Sequence, residues 1–472
     1  MEWQVKLKTL IQHLDVQVKG SKEIQITGLS ADSRTVSPGN LFIAKKGAIH
    51  DGAQFVSQAI NAGACAILTD LYDPFITVPQ IIHANPGALE AVLAARYYRY
   101  PAKELRMIAV TGTKGKTTTT YLIKHLLDHL GVPCGLIGTV ETIIGAHRFP
   151  SHLTTQSAIA NQKFLREMVD KGCKAAVLEV SSHGLEQKRV GEILFDVGVF
   201  TNLYSDHLDY HLNVEAYAAA KKKLFAVSKQ SVVNADSYWR DQPGLSFGIE
   251  SGMMCATNIS WSASGTHFTI RDTLFHSPLI GRFNLYNALA AITALHALGH
   301  DLSKLAPQLA TFPGAPARLE RIGNVFIDFA HTGEALDNVL QTLKEIAQGR
   351  LIVVFGCGGN RDPQRRTKMA KAADQWADIA IVTNDNPRHE DPIEIAKQIV
   401  AAFTHPPIVE LDRKKAIEQA LSLAAPSDLV LIAGKGHEKV QIFGNQSIPF
   451  DDIAVVKEAL QNIGRSAILD NL

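Results

Sequence analysis

The sequence predicts a three-domain α/β protein, and three observations carry that expectation. At 472 residues the chain is too long for one hydrophobic core. From Met107 onward, apolar runs of strand length alternate with helical stretches, the pattern of a parallel sheet with crossover helices. The alternation breaks at Phe312-Pro313-Gly314 and then restarts, so a second sheet follows the first. The expected domains are 1–101, 102–313 and 314–472.

The first block carries short strand-like runs (Ile24–Ile26, Leu41–Ala44, Ala66–Leu68) among Gly and Pro. A helical stretch, Ala88–Tyr98, closes it, and Pro101 marks a linker. The second opens on the apolar run Met107–Val110, followed by a Gly-rich turn and a helix from about Thr117 to Leu130. Further strands are expected at Ala175–Val180 and Val197–Thr201. In the third block, strands are expected at Val325–Asp328, Leu351–Phe355, Ile379–Thr383 and Leu429–Ala433. The central sheet thus reads as P-loop ATPase-like, and the C-terminal one as a Rossmann-like doubly wound domain.

Bulk composition excludes several classes. The chain is 46% hydrophobic and 20% charged, with a formal net charge of +1, so no global field favours nucleic acid or anionic lipid. The amphipathic start, with Lys6, Lys8 and Asp15, lacks a signal peptide's apolar core and cleavage site. No apolar run is long enough to span a bilayer. Five scattered cysteines without a CxxC pair argue against disulfides or zinc and for a reducing compartment. A cytoplasmic protein acting as a monomer on small molecules is expected, with neither nucleic-acid nor membrane partners.

The strongest local signal is Thr111-Gly112-Thr113-Lys114-Gly115-Lys116-Thr117-Thr118. It lies between a strand and a helix, the context that gives such a string meaning. Glycines let backbone N–H groups close on phosphate oxygens, and the helix N-terminus adds positive potential. Lys116 supplies a point charge for the terminal phosphates, and Thr117 a hydroxyl for Mg²⁺. A strict Walker A loop wants Gly where Val110 stands, so this is the shorter GTxGKT variant. The plainer reading is a Gly-rich turn with an exposed lysine.

Nucleotide chemistry needs Mg²⁺, and Mg²⁺ needs hard oxygen ligands. Glu179 ends one predicted strand, and the loop Thr201–His211 after the next is dense in Asp and His. Ligands gather at such strand ends in open α/β sheets. Glu179 and His207 are therefore candidates, whereas Lys221, ten residues beyond His211, is not selected by this chemistry alone. Their plainer readings are a helix cap or surface carboxylate, an ordinary loop histidine, and a solvated basic face shared with Lys222 and Lys223.

At this point the chain resembles the Mur ligase family. The resemblance rests on Thr111–Thr118, Glu179-Val180-Ser181-Ser182-His183-Gly184, Asn202 with Asp206–Asp209, and Asn284 with Asn287. It extends through Asp328–Thr332, Gly356–Gly359 and Gly434-Lys435-Gly436-His437-Glu438, spanning all three blocks in order. Two strings resemble the branch that adds a diamino acid: Glu-Val-Ser-Ser-His-Gly and Gly-Lys-Gly-His-Glu. The resemblance implies that ATP activates the D-glutamate γ-carboxylate of a UDP-N-acetylmuramoyl dipeptide as an acyl phosphate. Attack by the diamino acid then releases ADP and phosphate. It implies that Lys221 is carbamylated and ligates Mg²⁺ with His207 and Glu179, and that Asn287, Arg318, Asp328 and His331 approach the nucleotide. Ser30, Ser33, Thr154, Thr155, Ser181, Gln187 and Arg189 correspond to positions that hold the UDP-sugar. Neither His207 nor His183 is singled out as a base. Two strings depart from the family pattern, Ala317-Arg318-Leu319-Glu320 and His331-Thr332-Gly333-Glu334, though the Arg and His are kept.

Asp385-Asn386-Pro387-Arg388 follows a predicted strand, in a loop that Pro387 and Pro392 hold extended or turned. Meso-diaminopimelate differs from lysine by a second carboxylate, which a guanidinium grips with two parallel hydrogen bonds. Arg388 suits that task. The resemblance agrees, and adds Arg361, Asn386, Gly434 and Glu438 to the amino-acid pocket. The readings set against this one are a folylpolyglutamate synthetase, a lysine-adding ligase and a nucleotide-binding switch. The last would want Asn-Lys-x-Asp, and the nearest string, Thr383–Asn386, lacks the Lys.

Overall fold

The computed structural model describes residues 3–47, 50–204 and 208–462. His207 and its neighbours Ser205 and Asp206 lie outside them. By internal contact the chain forms two compact units, Met1–Cys255 with Leu289–Leu305 and Ala256–Ala288 with Ala306–Leu472.

Besides a two-stranded sheet, Val5–Lys6 with Gln25–Ile26, the first unit contains two large ones. One has the order Gln17–Lys19, Gln80–Ile82, Ala66–Thr69, Asn40–Ile43, Gly28–Ser30, parallel except for its first pair. Leu41, Ile43, Ala66 and Leu68 pack there with Leu93, Ala94 and Tyr97 of the helix Pro86–Tyr97. That helix starts two residues earlier than the expected Ala88, because Asn85 accepts from the Ala88 N–H and Pro86 occupies the first turn.

The larger sheet places Cys134–Ile137, Ala175–Glu179, Arg106–Thr111, Phe195–Phe200, Ser228–Asn234 and Leu245–Gly248 side by side and parallel. Residues Met107 to Thr111, Ala175 to Glu179 and Phe195 to Phe200 are all buried, as strands covered on both faces must be. An antiparallel hairpin, Glu141–Ile144 with His147–Pro150, closes one edge. The chain leaves the central strand Arg106–Thr111 toward one side and Phe195–Phe200 toward the other. In open α/β sheets ligands bind at the carboxyl ends of the strands at such a point of divergence.

The second unit has a parallel sheet of its own. Its order is Val325–Asp328, Leu429–Ala433, Leu351–Phe355, Ile379–Val382, Ile408–Val409, with Glu320–Ile322 antiparallel at one edge. Helices cover both faces, giving two apolar cores. The four strands expected here are present to within one residue. Sequence reading named no strands in the meander Met254–Ser262, Gly265–Ile270, Thr273–Ser277. These half-exposed strands lack the continuous apolar run that marked the others. The loop expected around Pro387 and Pro392 is shorter than foreseen, because Pro392 opens the helix Pro392–Val400 with Asp391 as its cap.

Beneath the second sheet's carboxyl edge lies a fully buried ion pair. Arg413 donates from Nε and a terminal nitrogen to the two oxygens of Asp452, both at 2.8 Å, and neither side chain is exposed. Arg413 also donates to the Ala433 carbonyl at 2.9 Å. Removing one member would leave a desolvated charge behind. Asp452→Ala is expected to destabilise the second unit by about 3–5 kcal/mol, read as a lowered urea midpoint for its unfolding transition.

Candidate active site

The phosphate loop sits where the sequence placed it, between the strand Arg106–Thr111 and the helix Lys116–His129. Gly112 has a φ of +146°, and a Cβ there would lie 1.9 Å from Thr201 Oγ1, so only glycine fits. The loop is braced by the segment after the neighbouring strand. The Thr113 N–H donates to the Asn202 carbonyl at 3.1 Å, and the Lys114 N–H to Asn202 Oδ1 at 2.9 Å. Thr201 Oγ1 donates to the Lys114 carbonyl at 2.7 Å. Lys116 Nζ donates to the carbonyls of Gly112 and Thr113 at 2.9 and 3.0 Å. Gly115 supplies the turn into the helix, and Thr118 is buried in its first turn.

Glu179 is 1% exposed and caps no helix, which rules out its plainer readings. Strand register explains its position: Glu179 pairs with Val110, so its side chain emerges beside the loop. Its carboxylate accepts from Thr117 Oγ1 at 3.1 Å, from the Thr139 N–H at 2.9 Å and from Thr139 Oγ1 at 2.8 Å. Sequence reading missed Thr139. The rule that ligands gather at strand ends would have found it, since it follows the strand Cys134–Ile137.

Lys221 also departs from its plainer reading. It is 1% exposed while Lys222 and Lys223 face solvent, because the helix Val214–Ala226 turns it inward. Its Nζ donates to the Gly112 carbonyl at 2.9 Å and lies 4.6 Å from the Tyr217 ring centre. Thr117, Glu179 and Lys221 thus converge on one loop. Among the described residues no cluster of three His, Cys, Asp or Glu side chains forms a metal site. Thr117 and Glu179 offer hard oxygens that fit Mg²⁺. An ammonium at Lys221 does not fit; a carbamate there would, and it would keep one N–H for Gly112.

The residues foreseen for the sugar nucleotide fall into two groups. Ser30 and Ser33 lie in the first sheet's turn region, where Ser30 Oγ donates to the Asp32 carbonyl at 2.8 Å and Ser33 Oγ to Gln58 at 2.9 Å. The others cluster beside Glu179. Thr139 Oγ1, whose proton goes to Glu179, accepts from the Thr154 hydroxyl at 3.1 Å, and Thr155 donates to the Glu179 carbonyl at 3.0 Å. Ser181 caps the helix Ser182–Glu186. Arg189 donates to Gln187 Oε1 at 3.0 and 2.7 Å and to the Thr155 carbonyl at 2.8 Å.

In the second unit, a polar network follows the strands Ile379–Val382 and Leu429–Ala433. Asn386 Nδ2 donates to Glu438 at 2.8 Å, while Lys435 donates to Asn386 Oδ1 at 3.0 Å and to Glu438 at 3.1 Å. Burial pushes Asp385 above the usual carboxylate range. Burial also pushes Glu438 up, but Lys435 and the Asn386 amide more than offset it and hold Glu438 below its ordinary value. Arg388 has a φ of 55°, sparsely populated for any side chain. Two hydrogen bonds hold it there: its N–H to the Ile442 carbonyl at 2.9 Å and its guanidinium to the Gly359 carbonyl at 2.7 Å. Strain so restrained is a mark of functional loops. Pro387 lies between these two, the Gly434 N–H donates to the Asp328 carbonyl at 3.1 Å, and Arg361 is exposed.

Of the remaining candidates in this unit, Asn287 is buried and donates to Asn284 at 3.1 Å. Asp328 accepts from the Leu319 N–H at 2.7 Å. Arg318 lies over the Phe329 ring, 4.9 Å from its centre, and His331 Nδ1 is 2.8 Å from the Phe329 carbonyl. His437, from the Gly-Lys-Gly-His-Glu string, also packs against Phe329, 4.8 Å from its ring centre.

Three family models match in chain order: the Mur ligase family catalytic domain over 25–105, the Mur ligase middle domain over 110–295, and the Mur ligase glutamate ligase domain over 317–436. The chain belongs to the Mur ligase family. A curated relative from Chlamydia felis, named UDP-N-acetylmuramoyl-L-alanyl-D-glutamate–2,6-diaminopimelate ligase, is 44% identical, with 97% of this chain and 100% of that protein covered. The like-named relative from Chlamydia pneumoniae is 44% identical over 96% of this chain and 99% of its own length. A solved structure of a ligase with that name superposes with a TM-score of 0.70 at 32% identity, covering 98% of this chain and 99% of that one. The three-domain α/β architecture expected from sequence is that of the family.

One titration follows from the second unit. Burial, and then the nearby Arg318 charge, lower the His437 pKa from 6.5 to about 4. Between those values the unfolded chain binds the proton and the folded chain does not, so stability is complete above pH 6.5 and falls as pH drops toward 4. His437→Gln is expected to flatten that part of the stability–pH curve, measured by thermal unfolding at a series of pH values.

Proposed function

We propose that the chain adds meso-2,6-diaminopimelate to UDP-N-acetylmuramoyl-L-alanyl-D-glutamate at the expense of ATP, an acid–amino-acid ligation of peptidoglycan precursor synthesis. The observation that carries the reading is the convergence of Thr117, Glu179 and Lys221 on the phosphate loop. A loop that merely holds a nucleotide has no need of a buried carboxylate and a buried lysine beside it.

The D-glutamate γ-carboxylate attacks the γ-phosphorus, and the diaminopimelate amine then displaces phosphate from the acyl phosphate. Lys116 lies at the helix N-terminus, where its charge and the loop N–H groups meet the phosphate oxygens. Residues 112–118 hold the nucleotide's phosphates, and Asn287, Arg318, Asp328 and His331 are assigned to the same nucleotide. Mg²⁺ would be held by Thr117, Glu179 and, on the family pattern, His207 and the carbamate of Lys221; when bound it neutralises phosphate charge. Ser30, Ser33, Thr154, Thr155, Ser181, Gln187 and Arg189 are assigned to the sugar nucleotide. Arg361, Asp385, Asn386, Pro387, Arg388, Gly434 and Glu438 are assigned to diaminopimelate. No helix among the described residues is long and apolar enough to cross a membrane. We place the enzyme in the cytoplasm, acting as a monomer, with the three domains bounded near residues 101 and 313.

Arg388 selects for the second carboxylate, which lysine lacks. Phosphate release is the test: the protein with ATP, Mg²⁺ and the UDP-linked dipeptide should release phosphate with meso-diaminopimelate and scarcely with lysine. Arg388→Ala should raise the diaminopimelate KM by about 10- to 100-fold, the worth of a charge-assisted bidentate contact. Release with lysine alone overturns the amino-acid assignment, and no substrate-dependent release with either overturns the ligase reading. Lys221→Ala should abolish turnover, with partial rescue by short-chain carboxylates that restore an oxygen anion. Full activity of that variant would remove Lys221 from the site.

A further inference from the structure

Beside Arg189 the first unit has a half-open cavity of about 170 Å³ whose lining includes Lys45, Glu90, Ser157, Gln187 and Arg189. Lys45 and Glu90 belong to neither the phosphate loop nor the sugar-nucleotide residues assigned above. Glu90 lies on the inner face of the helix Pro86–Tyr97, and its side chain is only 8% exposed. One carboxylate oxygen, Oε2, accepts from Lys45 Nζ. The other, Oε1, is buried and has no hydrogen-bond partner among the described residues. The helix comes this close because the facing turn carries Gly191, where a Cβ would lie 2.7 Å from the Cβ of Ala91.

An ionised carboxylate only accepts hydrogen bonds, and a buried one left without a donor is strongly disfavoured. Lys45 fixes which oxygen of Glu90 turns away from it. Arg189 spends three N–H groups on Gln187 and Thr155, which leaves two of its five. Burial pulls its pKa down, and the Glu90 charge acts against that shift. The cavity is thus lined by the Arg189 guanidinium and by Glu90, whose Oε1 is buried and lacks a donor among the described residues. A simple phosphate or dicarboxylate would satisfy Arg189 but meet repulsion at Glu90. A ligand bearing an anionic group next to an amide N–H or hydroxyl satisfies both.

We propose that Glu90 is a specificity-determining binding residue whose Oε1 accepts an N–H or O–H of the dipeptidyl sugar nucleotide, with Lys45 as its positioning residue. The proposal rests on the functional reading above. Lys45 also dictates what an amide would do at this position. In Glu90→Gln the amide oxygen turns toward the Lys45 ammonium, and the NH₂ faces the ligand's donor.

Steady-state kinetics with ATP, meso-diaminopimelate and UDP-N-acetylmuramoyl-L-alanyl-D-glutamate test it. Glu90→Gln should raise KM for the sugar nucleotide by about 10-fold or more, leaving kcat and the KM values for ATP and diaminopimelate within about twofold. Adding Lys45→Met to Glu90→Gln frees the amide to turn and should recover part of the lost affinity. A purely structural role for Glu90 gives no such recovery and moves all three KM values together. Glu90→Gln is nearly isosteric, and thermal unfolding of each variant checks that it is folded. Wild-type turnover with an unchanged sugar-nucleotide KM in Glu90→Gln, or no recovery in the double variant, overturns the assignment of Glu90 alone. No turnover by the wild-type chain overturns the functional reading and this proposal with it.

Discussion

The chemistry of the first unit depends on strand register in its central sheet. Val110 pairs with Glu179, and Thr111 with Phe200, so three adjacent parallel strands end level with one another. The phosphate loop, Glu179 and the bracing pair Thr201 and Asn202 therefore emerge at one edge. Side chains alternate along a strand, so a shift of one residue would turn Glu179 into the opposite face. Continuous apolar burial on both faces prevents that shift. The core sets the register, and the register sets the site.

Burial then changes what the site's polar groups can do. Glu179 is desolvated, yet three donors from Thr117 and Thr139 hold it. Lys221 is desolvated as well, and it meets a loop carbonyl instead of water. Charges in such surroundings act more strongly than in water, and they need no reorganisation before they meet a phosphate. The second unit is built on the same logic. Asn386 links Lys435, Glu438 and the backbone of Ile442, while the Arg413–Asp452 pair ties the end of the neighbouring strand from below.

Much of this was legible in the residues. Strands buried on both faces leave unbroken apolar runs, so their positions were read to within a residue or two. The phosphate loop was legible because glycine, lysine and threonine are each required there for a separate physical reason. Other features were not legible. Thr139 is an ordinary threonine until the sheet order sets its strand beside that of Glu179. Lys221 stands in a run of three lysines, and only the helix's rotation separates the buried one from its exposed neighbours. Glu90 and Lys45 are 45 positions apart and resemble any surface pair. The meander after Met254 went unnamed because half-exposed strands carry a weak pattern.

Sequence alone determined the class of fold, the place of the glycine-rich loop between strand and helix, and the family resemblance. These depend on local order: apolar periodicity, turn residues, and motifs that lie within a few positions. The tertiary structure alone decided which distant side chains share a site, which charges lose their water, and which hydrogen bonds they receive in exchange. Those outcomes depend on strand order, register and helix rotation, which arise from packing across the whole unit and leave no mark on neighbouring residues.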